Sequence, residues 1–223
     1  MTFRSALVSG LALAAVIAVA APAQASTNLL VNGSFEGPDL SEGQYTYPFG
    51  TLGSWYYWGS ALVNAEGDSA WWPYGGTFSG QDGDQFAALQ TTSVLAQTFD
   101  FGGGSLALSW LDAGRPWSWG GCCNGDQTYK VSLYNFGTGA TTDVGQYATV
   151  SGQGFNQKSA TVGLAAGQYA LIFQGLTADR DETAFIDKVS ASAAPEPATW
   201  ALMIAGFGGA GAMLRRRRGL VAA

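Results

Sequence analysis

TYKVSLY, residues 128–134, sets Tyr129, Val131 and Leu133 on one side of an extended chain and Lys130 and Ser132 on the other. That period of two marks a strand with one face on a core. QYALIF, residues 168–173, repeats it with Tyr169, Leu171 and Phe173. Working outward, short runs of the same kind occur at Ser93–Phe99 (SVLAQTF), Ser105–Leu111 (SLALSWL), Ser159–Leu164 and Ala184–Ser190 (AFIDKVS). Asn28–Phe35 and Phe86–Gln90 complete the set, with Gly, Asn and Asp between the runs. No long segment of this region has a 3.6-residue apolar period, and no repeat is visible. About eight or nine strands at regular spacing predict an all-β fold, an antiparallel β-sandwich of the jelly-roll kind.

The two ends read differently. Residues 1–25 have the shape of a secretory signal peptide: Arg4, an apolar stretch from Ala6 to Ala21, then Ala23-Gln24-Ala25 as a small-x-small cleavage site. Residues 195–223 read PEPATWALMIAGFGGAGAMLRRRRGLVAA. The run 198–214 carries no charge and as a helix spans roughly 26 Å at about 1.5 Å per residue. Trp200 sits where an interfacial aromatic belongs, and Arg215, Arg216, Arg217 and Arg218 would stay cytoplasmic. The chain therefore divides into a leader (1–25), one domain (26–194) and a tail with a single transmembrane helix (195–223).

Pro195, Glu196, Pro197, Trp200 and Ala201, followed by the Gly-rich run and the four arginines, make the tail resemble the PEP-CTERM sorting signal, in its PEPxxWA form. The resemblance implies recognition by an exosortase, a membrane-embedded cysteine protease, with cleavage near Pro-Glu-Pro. It implies export, transient anchoring by the tail helix, and release to the cell surface or extracellular matrix. The alternative is an anchor that is never cut.

Between Ser26 and Ala194 there are five basic residues against 15 acidic ones, a net charge of −10. An exported domain this acidic argues against nucleic acid as a partner and favours cations or neutral glycans. The chain has no histidine, which removes Ser-His and Cys-His pairs and His-ligated zinc. Carboxylates remain: Asp82 and Asp84, and Asp179, Asp181 and Glu182, placed in loops by their neighbours. A glycosidase needs two facing acids, which sequence does not reveal.

Aromatic residues concentrate in three loop-like places: WYYW with Trp55 and Trp58, WWPY with Trp71, Trp72 and Tyr74, and WSW with Trp117 and Trp119. Flat rings stack on sugar faces, and Arg115, Asn124 and Asp126 could bond the hydroxyls. The alternative is that the rings fill the core, with about half expected to be buried. Cys122 and Cys123, the only cysteines, form a strained vicinal disulfide beside WSW, pair each with another chain, or stay reduced.

NLLVNGSFE (28–36) and AFIDKVS (184–190), with GQDGDQFAALQ and SVLAQTF between them, resemble the first, last and middle strands of galactose-binding-like jelly rolls, a superfamily rich in carbohydrate-binding modules. The resemblance implies a structural calcium where first and last strands join, with Glu36 and Asp187 as side-chain ligands; otherwise these acids bond turns. The leading expectation is a noncatalytic domain that binds carbohydrate, such as exopolysaccharide. A structural matrix protein is the second, and a carboxylate-based glycan hydrolase or lyase the third.

Overall fold

The computed structural model describes residues 27–65, 71, 80–116, 123–178, 181–194 and 203–211. Residues 1–26, which hold the signal-peptide reading, lie outside the described residues, as do Trp72, Tyr74, Trp117, Trp119 and Cys122.

Among the described residues thirteen strands build two sheets. They are β1 (Tyr45–Thr46), β2 (Gly50–Leu52), β3 (Trp55–Trp58), β4 (Ala61–Asn64), β5 (Gln85–Gln90), β6 (Val94–Phe101), β7 (Gly104–Gly114), β8 (Cys123–Asn124), β9 (Thr128–Asn135), β10 (Thr141–Ala148), β11 (Asn156–Leu164), β12 (Gly167–Gly175) and β13 (Asp181–Ala193). One sheet runs β1-β4-β5-β13-β7-β11, with β8 added in parallel to β13; the other runs β10-β9-β12-β6-β3-β2. Every other pairing between these strands is antiparallel, so the chain is the predicted antiparallel sandwich in a jelly-roll layout.

The alternation in TYKVSLY and QYALIF becomes the core. Tyr129, Val131 and Leu133 on β9 and Tyr169, Leu171 and Phe173 on β12 are all buried, against Leu106, Leu108 and Trp110 of β7 and Ile186 and Val189 of β13. Inside this core, Trp110 Nε1 donates to the Tyr129 hydroxyl at 2.8 Å, which donates to Asp112 Oδ2 at 2.8 Å. Asp112 is fully buried, and Gln153 Nε2 and Lys158 Nζ supply its other partners. Burial holds its pKa above the usual carboxylate value in spite of them.

Asn28–Phe35 departs from its expected form. It follows β13, with Leu29 N–H on Ala191 O and Val189 N–H on Gly33 O, but it is not a regular strand. Asn32 and Phe35 adopt positive φ and bend it. Gly33 is required there, since a Cβ would sit 2.0 Å from Val189 O. WYYW, expected as a loop, is a strand. Asp181 and Glu182, also placed in a loop, open β13.

By itself, the described part of the tail is a helix over residues 203–211, with every residue exposed. Among the described residues no helix is long and apolar enough to cross a membrane. The rest of the expected 198–214 span lies outside them.

Candidate ligand-binding ridge

Residues 45–58 carry the chain from the edge of one sheet to the edge of the other and close that side of the sandwich. Tyr45 of β1 pairs with Val63; Pro48, which has no N–H to donate, follows β1; and β2 and β3 then form the edge hairpin of the second sheet. Leu52 pairs with Trp55, so Gly53 and Ser54 make a two-residue turn, and both have the positive φ such a turn favours. At Gly53 nothing larger fits: a Cβ would lie 1.8 Å from Gly37 O. Asn32 Nδ2 locks the turn by donating to Gly37 O and Gly53 O at 2.6 and 3.0 Å.

This hairpin sorts the aromatics by side. Trp55 and Tyr57 face inward and are 0% and 1% exposed; Tyr56 and Trp58 face outward at 41% and 51%. The sugar-binding expectation fails for Trp55. Its Nε1 donates to Asn32 O at 2.8 Å and its ring packs on Phe35 at 4.9 Å, so it is core. Phe49, 82% exposed, lies 4.8 Å from Trp58. Tyr45 and Tyr47, also exposed, meet edge to face at 5.9 Å. The five exposed rings of this segment thus fall in two groups: Tyr45 and Tyr47 lie on the outer face of the first sheet with Val63 and Trp71, whereas Tyr56 and Trp58, with Phe49 beside Trp58, stand on the outer face of the second.

Trp71 and Arg115 are brought together, but beneath Tyr45 and Tyr47. Trp71 is 2% exposed, packed by Tyr45, Tyr47 and Phe185. The Arg115 guanidinium sits 4.4 Å above its ring and donates Nη1 to Asp181 Oδ2 at 3.0 Å. Gln90 Nε2 donates to the other Asp181 oxygen, and the Tyr47 hydroxyl donates to Gln90 Oε1 at 2.6 Å. This relay orients Tyr47 from below. It corrects the expectation for Trp71 and Arg115, because a ring and a guanidinium with almost no exposed surface support Tyr45 and Tyr47 and offer no face for stacking. Asn124 and Asp126, the other proposed hydroxyl partners, accept N–H bonds, Asn124 from Asp126 in its own turn and Asp126 from Ser151 of a distant loop. Cys123 is disulfide-bonded, and its strand pairs with Asp181–Glu182.

From Trp58 a row of side chains crosses the outer sheet face through Val94, Gln174 and Lys130 to Gln146, by successive cross-strand pairs. It offers amide donors and acceptors beside the rings. Lys130 is held by Asp143 at 2.7 Å. Sequence reasoning missed Tyr45, Tyr47, Phe49 and Tyr56. The available signal was YTYPFG, in which rings alternate with Thr and Pro ahead of a glycine, as an interrupted edge strand does.

Glu36 and Asp187 converge on the loop before β5. Glu36 Oε1 accepts the N–H groups of Asp84 and Gln85 at 2.9 and 2.8 Å; Asp187 Oδ2 accepts that of Asp82 at 2.7 Å and its Oδ1 that of Lys188 at 2.6 Å. Both acids therefore do bond turns. Burial, with the Asp82 and Glu36 charges adding to it, pushes Asp187 up to about 7, and burial raises Glu36 as well. Among the described residues no group of three His, Cys, Asp or Glu side chains is placed to hold a metal, so a cation here would depend on backbone carbonyls.

The tail decides where the domain goes. Residues 193–218 match the PEP-CTERM protein-sorting motif. The sorting motif implies export, exosortase processing and a surface or extracellular destination. Among curated proteins, nothing matches the sequence.

Among solved structures the chain is similar to TmCBM61 in complex with β-1,4-galactotriose (TM-score 0.47, 12% identity, covering 76% of this chain and 100% of that one). It is similar also to the CBM22-1 xylan-binding domain of Paenibacillus barcinonensis Xyn10C (0.46, 16%, 78% and 99%). A third is the K3 cleaved adhesin domain of Lys-gingipain from Porphyromonas gingivalis (0.46, 17%, 76% and 100%). At these scores the likeness carries no information about what this chain binds.

Proposed function

We propose that this protein is an exported, exosortase-processed module that binds a neutral glycan without cleaving it. The observation that carries the reading is the exposed group of Phe49, Tyr56 and Trp58 at the edge of the second sheet, which continues across its outer face into Gln174 and Gln146. Rings on an edge can stack on successive sugars of a chain, while the amides of Gln174 and Gln146 reach hydroxyls. Neutrality follows from the charges. Arg115, Lys130, Lys158 and Lys188, the cations of the described sandwich, are each ion-paired to a carboxylate, which leaves an acidic polysaccharide no partner for its anions. A noncatalytic role is favoured because Asp143, beside the row that runs from Trp58, is ion-paired to Lys130, and Asp181 is committed to Arg115 and Gln90.

Calcium at Glu36 and Asp187 belongs to the same proposal. A buried carboxylate repelled by a second one is the arrangement that a divalent cation neutralises.

The test is a titration of the exported protein with neutral and acidic polysaccharides, followed by tryptophan fluorescence. Saturable quenching by neutral chains, lost in Trp58→Ala, is expected. Equal response to acidic chains, or none to any glycan by a folded protein, would overturn the reading and favour a structural role in the matrix.

A further inference from the structure

The matched sorting motif begins at residue 193, inside the fold. Ala193 is the last residue of β13 and pairs with Leu106 of β7; the N–H of Ala194 donates to Ser105 O at 2.8 Å. The motif and the sandwich therefore share residues, and no spacer separates Pro195 from hydrogen-bonded backbone. A protease takes its substrate as an extended segment whose backbone groups are free to pair. A strand still in its sheet offers one side at most.

The other edge of β13 shows how far that pairing can be undone. Leu29 N–H donates to Ala191 O at 2.7 Å, and Ala191 N–H donates to Asn28 Oδ1 at 2.9 Å. Up to Ala191 the strand is held on both sides. Among the described residues, Ser192, Ala193 and Ala194 have the β7 side alone, and their small side chains are not buried, whereas Val189 and Ala191 are. Little apolar area opposes peeling of this end, and local opening of so few residues is the kind that proteolysis exploits.

We propose that the end of β13 is a processing gate: Ser192 to Ala194 detach from β7 to present the motif to the exosortase, and the clamp of Asn28 and Leu29 on Ala191 stops the opening there. The inference rests on the exosortase reading of the tail. Processing then reports on folding, because a sandwich whose N-terminal segment is docked opens its last residues and keeps the rest of β13.

The test uses the full chain in cells that contain an exosortase, with conversion of precursor followed by pulse-chase. Ser192→Cys combined with Ala107→Cys ties a cross-strand pair that is only partly buried. The oxidised precursor should be cut at least roughly tenfold more slowly than wild type, and reductant should restore the rate. A Gly-Ser spacer of about six residues between Ala194 and Pro195 should be cut at least as fast as wild type, and should keep that rate when combined with the cross-link. Because the spacer leaves the sandwich untouched, it separates a closed gate from a misfolded domain. Cross-linked precursor processed at the wild-type rate, or a spacer that fails to rescue it, overturns the gate while leaving the exosortase reading intact. A wild-type chain that is never shortened overturns the exosortase reading and the gate together.

Discussion

Asp187→Asn should change sign with pH, destabilising the sandwich near pH 4 and stabilising it near pH 8. The wild-type side chain is fully buried, and desolvation, reinforced by the Asp82 and Glu36 charges, lifts its pKa from 3.8 to about 7 against the N–H bonds from Asp82 and Lys188. The folded protein thus keeps a proton that the unfolded chain has already released. Between about pH 4 and pH 7 the unfolded state binds fewer protons, so stability falls as pH rises. At about 1.36 kcal/mol per pKa unit, a gap of about three units is worth roughly 4 kcal/mol, present in full below about pH 4 and gone by about pH 8. Asparagine carries no charge to desolvate, but its amide nitrogen cannot accept from the Asp82 N–H, which costs about 1–3 kcal/mol at every pH.

The variant should therefore trail wild type by about 1–3 kcal/mol at pH 4 and lead it by a similar margin at pH 8. Urea unfolding of both proteins across this range, in chelator, measures the difference directly. A difference that stays constant from pH 4 to pH 8 would refute the reasoning, since it would mean that Asp187 titrates alike in both states. Repeated with calcium, the experiment tests the cation. A bound ion stabilises the ionised wild type by mass action and leaves the variant unchanged, so the lead of the variant at pH 8 should vanish.

Trp58→Ala and Phe49→Ala should abolish glycan quenching and move stability by no more than about 0.5 kcal/mol, because both rings are more than half exposed. Trp71→Ala should instead cost about 3–5 kcal/mol by opening a cavity under Tyr45 and Tyr47, and paired binding and unfolding curves distinguish the two classes. Tyr129→Phe leaves the Trp110 N–H and the Asp112 carboxylate without their shared partner, and should cost roughly 2–5 kcal/mol in urea unfolding. A thiol titration should find none free before reduction and both Cys122 and Cys123 after it, on a chain that runs as a monomer in non-reducing gels; free thiols at the outset would exclude a vicinal bridge.

What was legible in the sequence depended on contrast between neighbouring residues. In TYKVSLY and QYALIF polar and apolar side chains alternate, so the side that faces the core can be read off, and β9 and β12 lie where the pattern places them. WYYW has no such contrast: four apolar rings read alike, and only the sheet on one side of β3 separates Trp55 and Tyr57 from Tyr56 and Trp58. TTDVGQYA lacks an apolar face because β10 is an edge strand, with a register shift between Asp143 and Gly145, and buries little. NLLVNGSF fails in the opposite direction: its residues suit a strand, yet Asn32 turns to bind Gly37 and Gly53 and bends the chain.

The proposed binding surface was hidden for a related reason. Residue type alone marks Trp55, Trp58 and Trp71 as equal candidates, and the fold makes two of them core. Position relative to the sheet edge separates them, and that is a property of strand order, which arises from pairings as distant in sequence as Tyr56 with Ala96 and Phe185 with Ala88. A ring beside proline and glycine on a short edge strand, as in YTYPFG, is therefore a better sign of an exposed platform than a cluster of tryptophans. Its neighbours cannot continue the ladder that would bury it.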